Sequence, residues 1–333
     1  MNLKIKQNVD YSIVVPVYQN EGSLEKTFNI IKANVIDKNP EYLSEVIFVD
    51  DGSTDNSFQI LCNLYEAFPE LIVIVKLTRN FGTYPAIIAG YEKAKGSCLV
   101  NISADLQDPP ELINEMLHSH FNENYNIVIC HRSSRDESAY RSFTSKVFYG
   151  TIKKYCFPNM PKGGFDFMLI SSKVKKEILQ DLEADFFLQG KVLWTGYDIK
   201  FIPYKRRKRE EGVSQWTFSK KLKWFMDAVM SYSFFPIRFI SSVGVIVALL
   251  GFIYALVVFF QRMTSDDFIY GWSPIVILML LLSGFQLLML GVIGEYIWRT
   301  LSQTRNRLQY VIDKVVEKNK NYGWPLVSYG TKY

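Results

Sequence analysis

The sequence predicts an α/β fold with a mostly parallel sheet, followed by a membrane-associated C-terminal part. Three observations lead there. Apolar runs of strand length alternate with helix-periodic segments over the first hundred residues. Carboxylates follow directly on the ends of those runs, the edge of an open α/β sheet at which ligands bind. Residues 239–298 are almost continuously apolar, unlike anything before them.

The elements follow in order. YSIVVPVY (11–18) reads as a buried strand and EGSLEKTFNIIKANV (21–35) as the helix after it. EVIFVDDGSTD (45–55) is an apolar strand running into Asp50 and Asp51, with a helix over 56–67. LIVIVKLT (71–78) is the third strand, TYPAIIAGYEKA (83–94) the third helix, and SCLVNIS (97–103) a fourth strand that delivers Asp105. The stretch NISADLQDPPEL (101–112) holds its aspartates and Gln107 against a Pro-Pro stop. Neither GxGxxG nor GxxxxGK[ST] occurs, so a nucleotide would have to be held another way.

Downstream, residues 239–260 and 274–297 each match the roughly 20 apolar residues that cross a bilayer. Lys220, Lys221, Lys223 and Arg238 precede the first span and Arg299, Arg305 and Arg307 follow the second, while the loop between sets Arg262 against Asp266 and Asp267. The positive-inside rule then puts both termini and the soluble part in the cytoplasm. Glu295 reads as interfacial and within reach of Arg299. Trp216, Leu222, Phe225, Met226 and Val229 recur at helical spacing among lysines, as in an interfacial amphipathic helix. The expected organisation is a catalytic domain over 1–210, a juxtamembrane helix over 211–236, two spans with a short loop over 237–298 and a cytoplasmic tail over 299–333. Near Lys4, Lys6 and Asp10 there is no apolar run to read as a signal peptide.

Composition narrows the function. With 48% hydrophobic residues and a net charge of +5, the chain is neither disordered nor strongly basic. The basic run 204–212 sits beside the membrane segment, so it reads as a headgroup contact and nucleic acid is not expected as a partner. Cys62, Cys98, Cys130 and Cys156 have no CxxC spacing, which argues against a disulfide framework and zinc. His118 and His120 read as surface residues.

VVPVYQNEGSL (14–24), FVDDGSTDNS (48–57), RNFGTYPAIIAGYEKAKG (79–96) and SADLQDPPEL (103–112), in that order and followed by two apolar spans, resemble a family-two GT-A glycosyltransferase. More narrowly, the chain resembles the polyprenyl-phosphate glycosyltransferases, the group of bactoprenol glucosyltransferase and dolichol-phosphate mannose synthase. The resemblance implies a GT-A nucleotide-diphospho-sugar transferase fold in a multi-pass protein of the bacterial inner membrane, with a role in the cell envelope. It implies that Pro16, Tyr18 and Glu21 line the nucleotide pocket, that Asp50 or Asp51 accepts hydrogen bonds from base or ribose, and that Arg79 and Ser103 face the donor. Asp105, aided by Gln107, would hold Mg²⁺ or Mn²⁺. Ser103 stands where many relatives have the first aspartate of a DAD sequence, leaving one strong carboxylate, with Asp108 as a helper.

The implied acceptor is polyprenyl phosphate. Its phosphate would meet Arg132, Arg141 and Arg209, with Arg135, Arg206 and Arg207 as substitutes, and Asp166 would lie near the reacting centre beside Gly163 and Gly164. The implied donor is UDP-glucose first, with UDP-GlcNAc or GDP-mannose as alternatives. The expected reaction is an inverting transfer that gives a lipid monophosphosugar. The competing readings are a processive polysaccharide synthase, which the absence of QxxRW and the small number of spans disfavour, and a non-catalytic scaffold with Ser103 as its lesion. Two lone spans also suit a homo-oligomer in membrane lipid.

Overall fold

In a computed structural model, residues 9–132, 150, 152–154, 156–161, 164–180, 187–205, 229–230, 232–264, 272–305, 308–318 and 325–329 are described. The chain divides into two compact units, Met1–Lys221 with Leu308–Tyr333, and Leu222–Arg307.

The first unit is α/β. Its strands are β1 (Tyr11–Val17), β2 (Ser44–Asp50), β3 (Ile72–Leu77), β4 (Cys98–Asn101), β5 (Ile127–Arg132), β6 (Phe167–Ser171), β7 (Ile199–Tyr204), β8 (Ile312–Lys318) and β9 (Pro325–Tyr329). They form one sheet in the order β7-β5-β6-β4-β1-β2-β3-β8-β9. The pairings leave β6 and β8 running against the other seven strands, so the sheet is mixed and mostly parallel. Helices α1 (Leu24–Ile31), α2 (Ser57–Ala67) and α3 (Thr83–Lys93) connect the parallel strands, and α4 (Leu112–Phe121) leads to β5. A single π turn, Lys32–Ile36, extends α1. Helices α5 (Ser172–Gln180) and α6 (Leu188–Trp194) fill the connection from β6 to β7.

The central strands are buried on both faces, which explains why β1 and β2 read as continuous apolar runs without alternation. Pro16 is tolerated in β1 for a local reason. Val14 turns its carbonyl toward the β4 side, where it accepts from the Ile102 N–H, so Pro16 faces that side as well. The pairing with β4 ends at Asn101, and the N–H that proline lacks has no ladder bond to make. On α3, Gly90 lets the helix come down on the sheet: a Cβ there would meet Val14 Cγ1 at 2.4 Å and Val49 Cγ2 at 3.1 Å. Its N-terminal turn is thereby held beside the ends of β1, β2 and β3.

Within 299–333, the stretch expected as a cytoplasmic tail, lie β8 and β9. Strand β8 runs antiparallel to β3, and β9 lines β8. Ion pairs from Lys95 to Glu317 and from Lys318 to Glu70, and a hydrogen bond from the Tyr310 hydroxyl to Glu92 Oε2 at 2.6 Å, fasten β8. IDKVVEK runs apolar, charged, charged, apolar, apolar, charged, charged, without the strict alternation that marks a half-buried strand. The partner strand lies over two hundred residues upstream, so the pairing itself leaves no local signal.

The second unit contains two long helices, α7 (Phe235–Thr264) and α8 (Trp272–Thr304). The sequence pointed to two spans; among the described residues one stretch, Phe235–Tyr254 in α7, is long and apolar enough to cross a membrane. Apolar side chains such as Phe252 and Leu249 on α7, and Leu287 and Leu290 on α8, are exposed. Glu295 does pair with Arg299, one helical turn on, at 2.9 Å.

Candidate active site

The candidate residues gather at the carboxyl ends of β1, β2, β3 and β4. After β1 the chain turns through Gln19, which takes a left-handed φ of 54° without being glycine. Hydrogen bonds tie this turn to the loop after β2: the Gln19 N–H donates to Ser53 Oγ at 3.1 Å and the Asn20 N–H to Ser57 Oγ at 2.9 Å. Glu21 and Asp55 exchange contacts in the same way. The Glu21 N–H donates to Asp55 Oδ2 at 3.3 Å, and the Asn56 N–H at the start of α2 donates to Glu21 Oε2 at 3.0 Å. Half-buried Pro16 and Tyr18 lie at this corner, with the Tyr18 N–H on Asn20 Oδ1.

The two aspartates after β2 differ sharply. Asp51 accepts from the Phe81 N–H at 2.7 Å and the Gly82 N–H at 2.9 Å, one on each oxygen. It clamps the β3–α3 loop, and burial pushes its pKa up to about 6 in spite of these bonds. Asp50 is fully buried; one oxygen accepts from the Ser53 N–H at 3.1 Å, and the other has no partner among the described residues. Burial raises its pKa as well. Gly52 between the loops has φ 68°, and a Cβ would stand 2.4 Å from the Arg79 carbonyl carbon and 2.7 Å from the Asn80 nitrogen. Arg79 is exposed, its guanidinium 4.1 Å from the Phe81 ring centroid.

Beyond β4, Ser103 stands between two carboxylates, with its Oγ 2.7 Å from Asp105 Oδ1 and 3.1 Å from Asp108 Oδ2. The Gln107 N–H donates to Asp105 Oδ1 at 3.2 Å. Leu106 adopts a left-handed φ of 55° while its side chain is buried, so the turn that presents Asp105 is strained. Helix α1 braces the loop, Thr27 donating its hydroxyl to the Ala104 carbonyl at 2.8 Å. Among the described residues no three of His, Cys, Asp and Glu come together as a metal cluster. The donors present are nonetheless hard oxygens, and Mg²⁺ commonly takes one or two carboxylates and completes its shell with substrate phosphates. The residues fit such an ion.

A second group meets this loop from β5, β6 and β7. Arg132 and Tyr204 are register partners on β5 and β7. The Tyr204 hydroxyl donates to Asp108 Oδ1 at 2.5 Å and itself hydrogen-bonds Arg132. Burial works against the Arg132 charge, but Asp166, Tyr204 and Asp108 outweigh it and hold the pKa above the ordinary value. Arg132 NH2 lies 3.7 Å from Asp166 Oδ2. Asp166, immediately before β6, also accepts from Gln189 Nε2 at 3.0 Å and from the Tyr84 hydroxyl at 3.4 Å. A continuous polar line thus runs from Asp105 through Ser103, Asp108, Tyr204 and Arg132 to Asp166. The sequence pattern points to its aspartates and arginine but not to Tyr204, which opens the basic run, nor to Tyr84 and Gln189, which read locally as parts of apolar elements. Arg141 and Arg209, with Arg135, Arg206, Arg207 and Gly163, lie outside the described residues.

The profile of Glycosyl transferase family 2 matches residues 12–179. The uncharacterized glycosyltransferase YkcC of Bacillus subtilis is 36% identical over 311 residues, 93% of this chain and 95% of the relative. The prophage bactoprenol glucosyl transferase homolog of Escherichia coli is 30% identical over 305 residues, 91% of this chain and 98% of the relative. Among solved structures, a mannosyltransferase from Pyrobaculum calidifontis in complex with GDP-Man and Mn²⁺ shares 19% identity at a TM-score of 0.41, over 58% of this chain and 54% of that one.

Proposed function

The chain belongs to glycosyl transferase family 2 and is a glycosyltransferase, and from that premise we propose that it transfers a hexose from a nucleotide-sugar to a polyprenyl phosphate. The observation that carries this reading is the polar line from Asp105 to Asp166: it joins a carboxylate turn suited to a donor diphosphate to a half-buried arginine suited to a second phosphate. The names of relatives such as the bactoprenol glucosyl transferase of Shigella phage SfII, 30% identical over 304 residues, support a lipid acceptor.

On this reading the nucleoside lies against Pro16, Tyr18 and Glu21. Asp50, whose second oxygen has no partner among the described residues, is the better acceptor for an N–H of the base, because both oxygens of Asp51 already hold the β3–α3 loop. Arg79 faces the donor phosphates. Asp105, with Ser103 and Gln107 beside it, would hold Mg²⁺ or Mn²⁺, which neutralises charge developing on the leaving diphosphate. Arg132, with Arg141 and Arg209, grips the lipid phosphate, and Asp166 orients the reacting groups. A phosphate oxygen of the acceptor attacks the anomeric carbon from the face opposite the nucleotide. The bond from that carbon to the diphosphate oxygen breaks, the nucleoside diphosphate departs with the electron pair, and the anomeric configuration inverts. No strong base is required, since a phosphate monoester with a second pKa near 6 is already largely deprotonated. Helices α7 and α8 both span the membrane and tether the enzyme to the leaflet that contains its acceptor, with both termini cytoplasmic.

Membranes containing the chain, given radiolabelled UDP-glucose, UDP-GlcNAc or GDP-mannose and undecaprenyl phosphate, test this. One labelled sugar should enter the lipid-extractable fraction as a monophosphosugar. Polymer would indicate a processive synthase, and no transfer from any donor would end the reading.

A further inference from the structure

We propose that Gln189 is the positioning residue for the Asp166 carboxylate. The inference rests on the reading above that Asp166 faces the reacting centre, and the test separates the two.

Gln189 lies in the first turn of α6 and is 2% exposed. Its Nε2 donates both to Asp166 Oδ1 and to the carbonyl of Phe165, one residue earlier. Both neighbours are acceptors, so the amide can face them only with its nitrogen; the flipped arrangement would set oxygen against oxygen. This orientation leaves Oε1 buried without a partner among the described residues. A buried orphan acceptor is costly. That it persists indicates that the amide is placed for the two acceptors its nitrogen faces, the Asp166 carboxylate and the Phe165 carbonyl.

The alternatives for fixing the carboxylate are weaker. Its side chain is 52% exposed, the Arg132 contact at 3.7 Å is longer than a hydrogen bond, and the Tyr84 hydroxyl stands at 3.4 Å. The main chain at Asp166 is held separately. Asn101 Nδ2 donates to the Asp166 carbonyl, and Asn101 is in turn fixed by the buried Tyr91 hydroxyl at 2.9 Å. Asn101 and Tyr91 therefore anchor the backbone at Asp166 without Gln189, which adds a bond to the preceding carbonyl and sets the direction of the carboxylate. Removing the amide should misaim Asp166 while leaving the fold intact.

The test is Gln189→Met, which keeps the length and removes both polar atoms, assayed in the full chain with undecaprenyl phosphate and whichever of the three nucleotide-sugars the unsubstituted chain uses. Turnover should fall roughly 10- to 100-fold, the scale of a misaimed reacting group. The donor KM, UDP affinity and melting temperature should barely move. Gln189→Asn, which keeps the amide but withdraws it by one methylene, should lose less. In an Asp166→Asn background the methionine substitution should cost less than about twofold, because groups that act through one another are not additive. Loss of the same factor in both backgrounds, or a fall in melting temperature that accounts for the lost turnover, would make Gln189 a packing residue and overturn the proposal. If Asp166→Asn abolishes turnover while Gln189→Met does not reduce it, the proposal fails and the site reading stands. Unimpaired turnover in Asp166→Asn would instead remove Asp166 from the reacting centre.

Discussion

Replacing Gly52 with alanine should damage the donor side of the site through a backbone collision. The native φ of 68° costs a side-chain-bearing residue about 1–2 kcal/mol. The added methyl would also stand 2.4–2.7 Å from the Arg79 carbonyl carbon and Cα and the Asn80 nitrogen, all backbone atoms that no rotamer change can move aside. The Arg79–Gly82 loop must therefore shift away from Asp51, and losing one of the two N–H bonds to that carboxylate costs roughly a further 1.5–3 kcal/mol. Together the loss is about 2.5–5 kcal/mol, or roughly 5–20 °C in melting temperature for a domain of this size. Thermal unfolding of the full chain in detergent measures the first effect and calorimetric UDP binding the second, which should weaken as the loop moves. Gly52→Asn separates the causes, since asparagine tolerates the left-handed φ but still brings the Cβ. An asparagine variant as stable as the natural chain would refute the close-approach argument, and an alanine variant with unchanged melting and binding would refute the whole of it.

Three further outcomes are expected. Asp51 has a folded pKa of about 6 against an ordinary 3.8, so its protonation stabilises the fold fully below pH 3.8 and that contribution is lost as pH rises through 6; it is on the order of 3 kcal/mol, visible as a difference in pH slope between the natural chain and Asp51→Asn in denaturant titrations, and parallel slopes would contradict it. Chelation should stop transfer and Asp105→Asn should reduce it at least about 100-fold, while Ser103→Asp should lower the Mn²⁺ concentration that half-restores activity; full turnover in excess chelator would show that no metal is used. Arg132→Ala should raise the apparent KM for undecaprenyl phosphate roughly 10- to 100-fold with UDP affinity unchanged, Arg132→Lys recovering part of the loss; weakened UDP binding with acceptor dependence intact would move Arg132 to the donor side.

The parts of the molecule that local pattern controls were legible in advance. Strands β1 to β4 and helices α2 and α3 begin and end within a few residues of expectation, because a doubly buried strand must be an unbroken apolar run and its helices must carry a helical period. The clustering of Asp50, Asp51 and Asp105 at strand ends followed from the same alternation. What escaped was nonlocal. Asp51 spends both oxygens on backbone thirty residues away, a bond with no trace in composition. Tyr204 reaches Asp108 only because β7 pairs with β5, and Gln189 matters only because α6 begins beside Asp166. Ser103 looked like a missing carboxylate, yet its hydroxyl lies between two others.

The return of β8 to β3 has a consequence for biogenesis. During synthesis the edge of β3 stays bare until residues 222–307 have been made and the last strands have emerged. The catalytic sheet is thus the last part to be completed, although most of it is made first. Cutting the gene before α7 would not release a tidy soluble enzyme: it would strip the cover from the apolar strand β3 and invite strand-to-strand aggregation. A soluble version would need β8 and β9 rejoined by a linker in place of the long helices. A ribosome that stalls within those helices would leave an unsealed sheet, a ready target for proteolytic clearance.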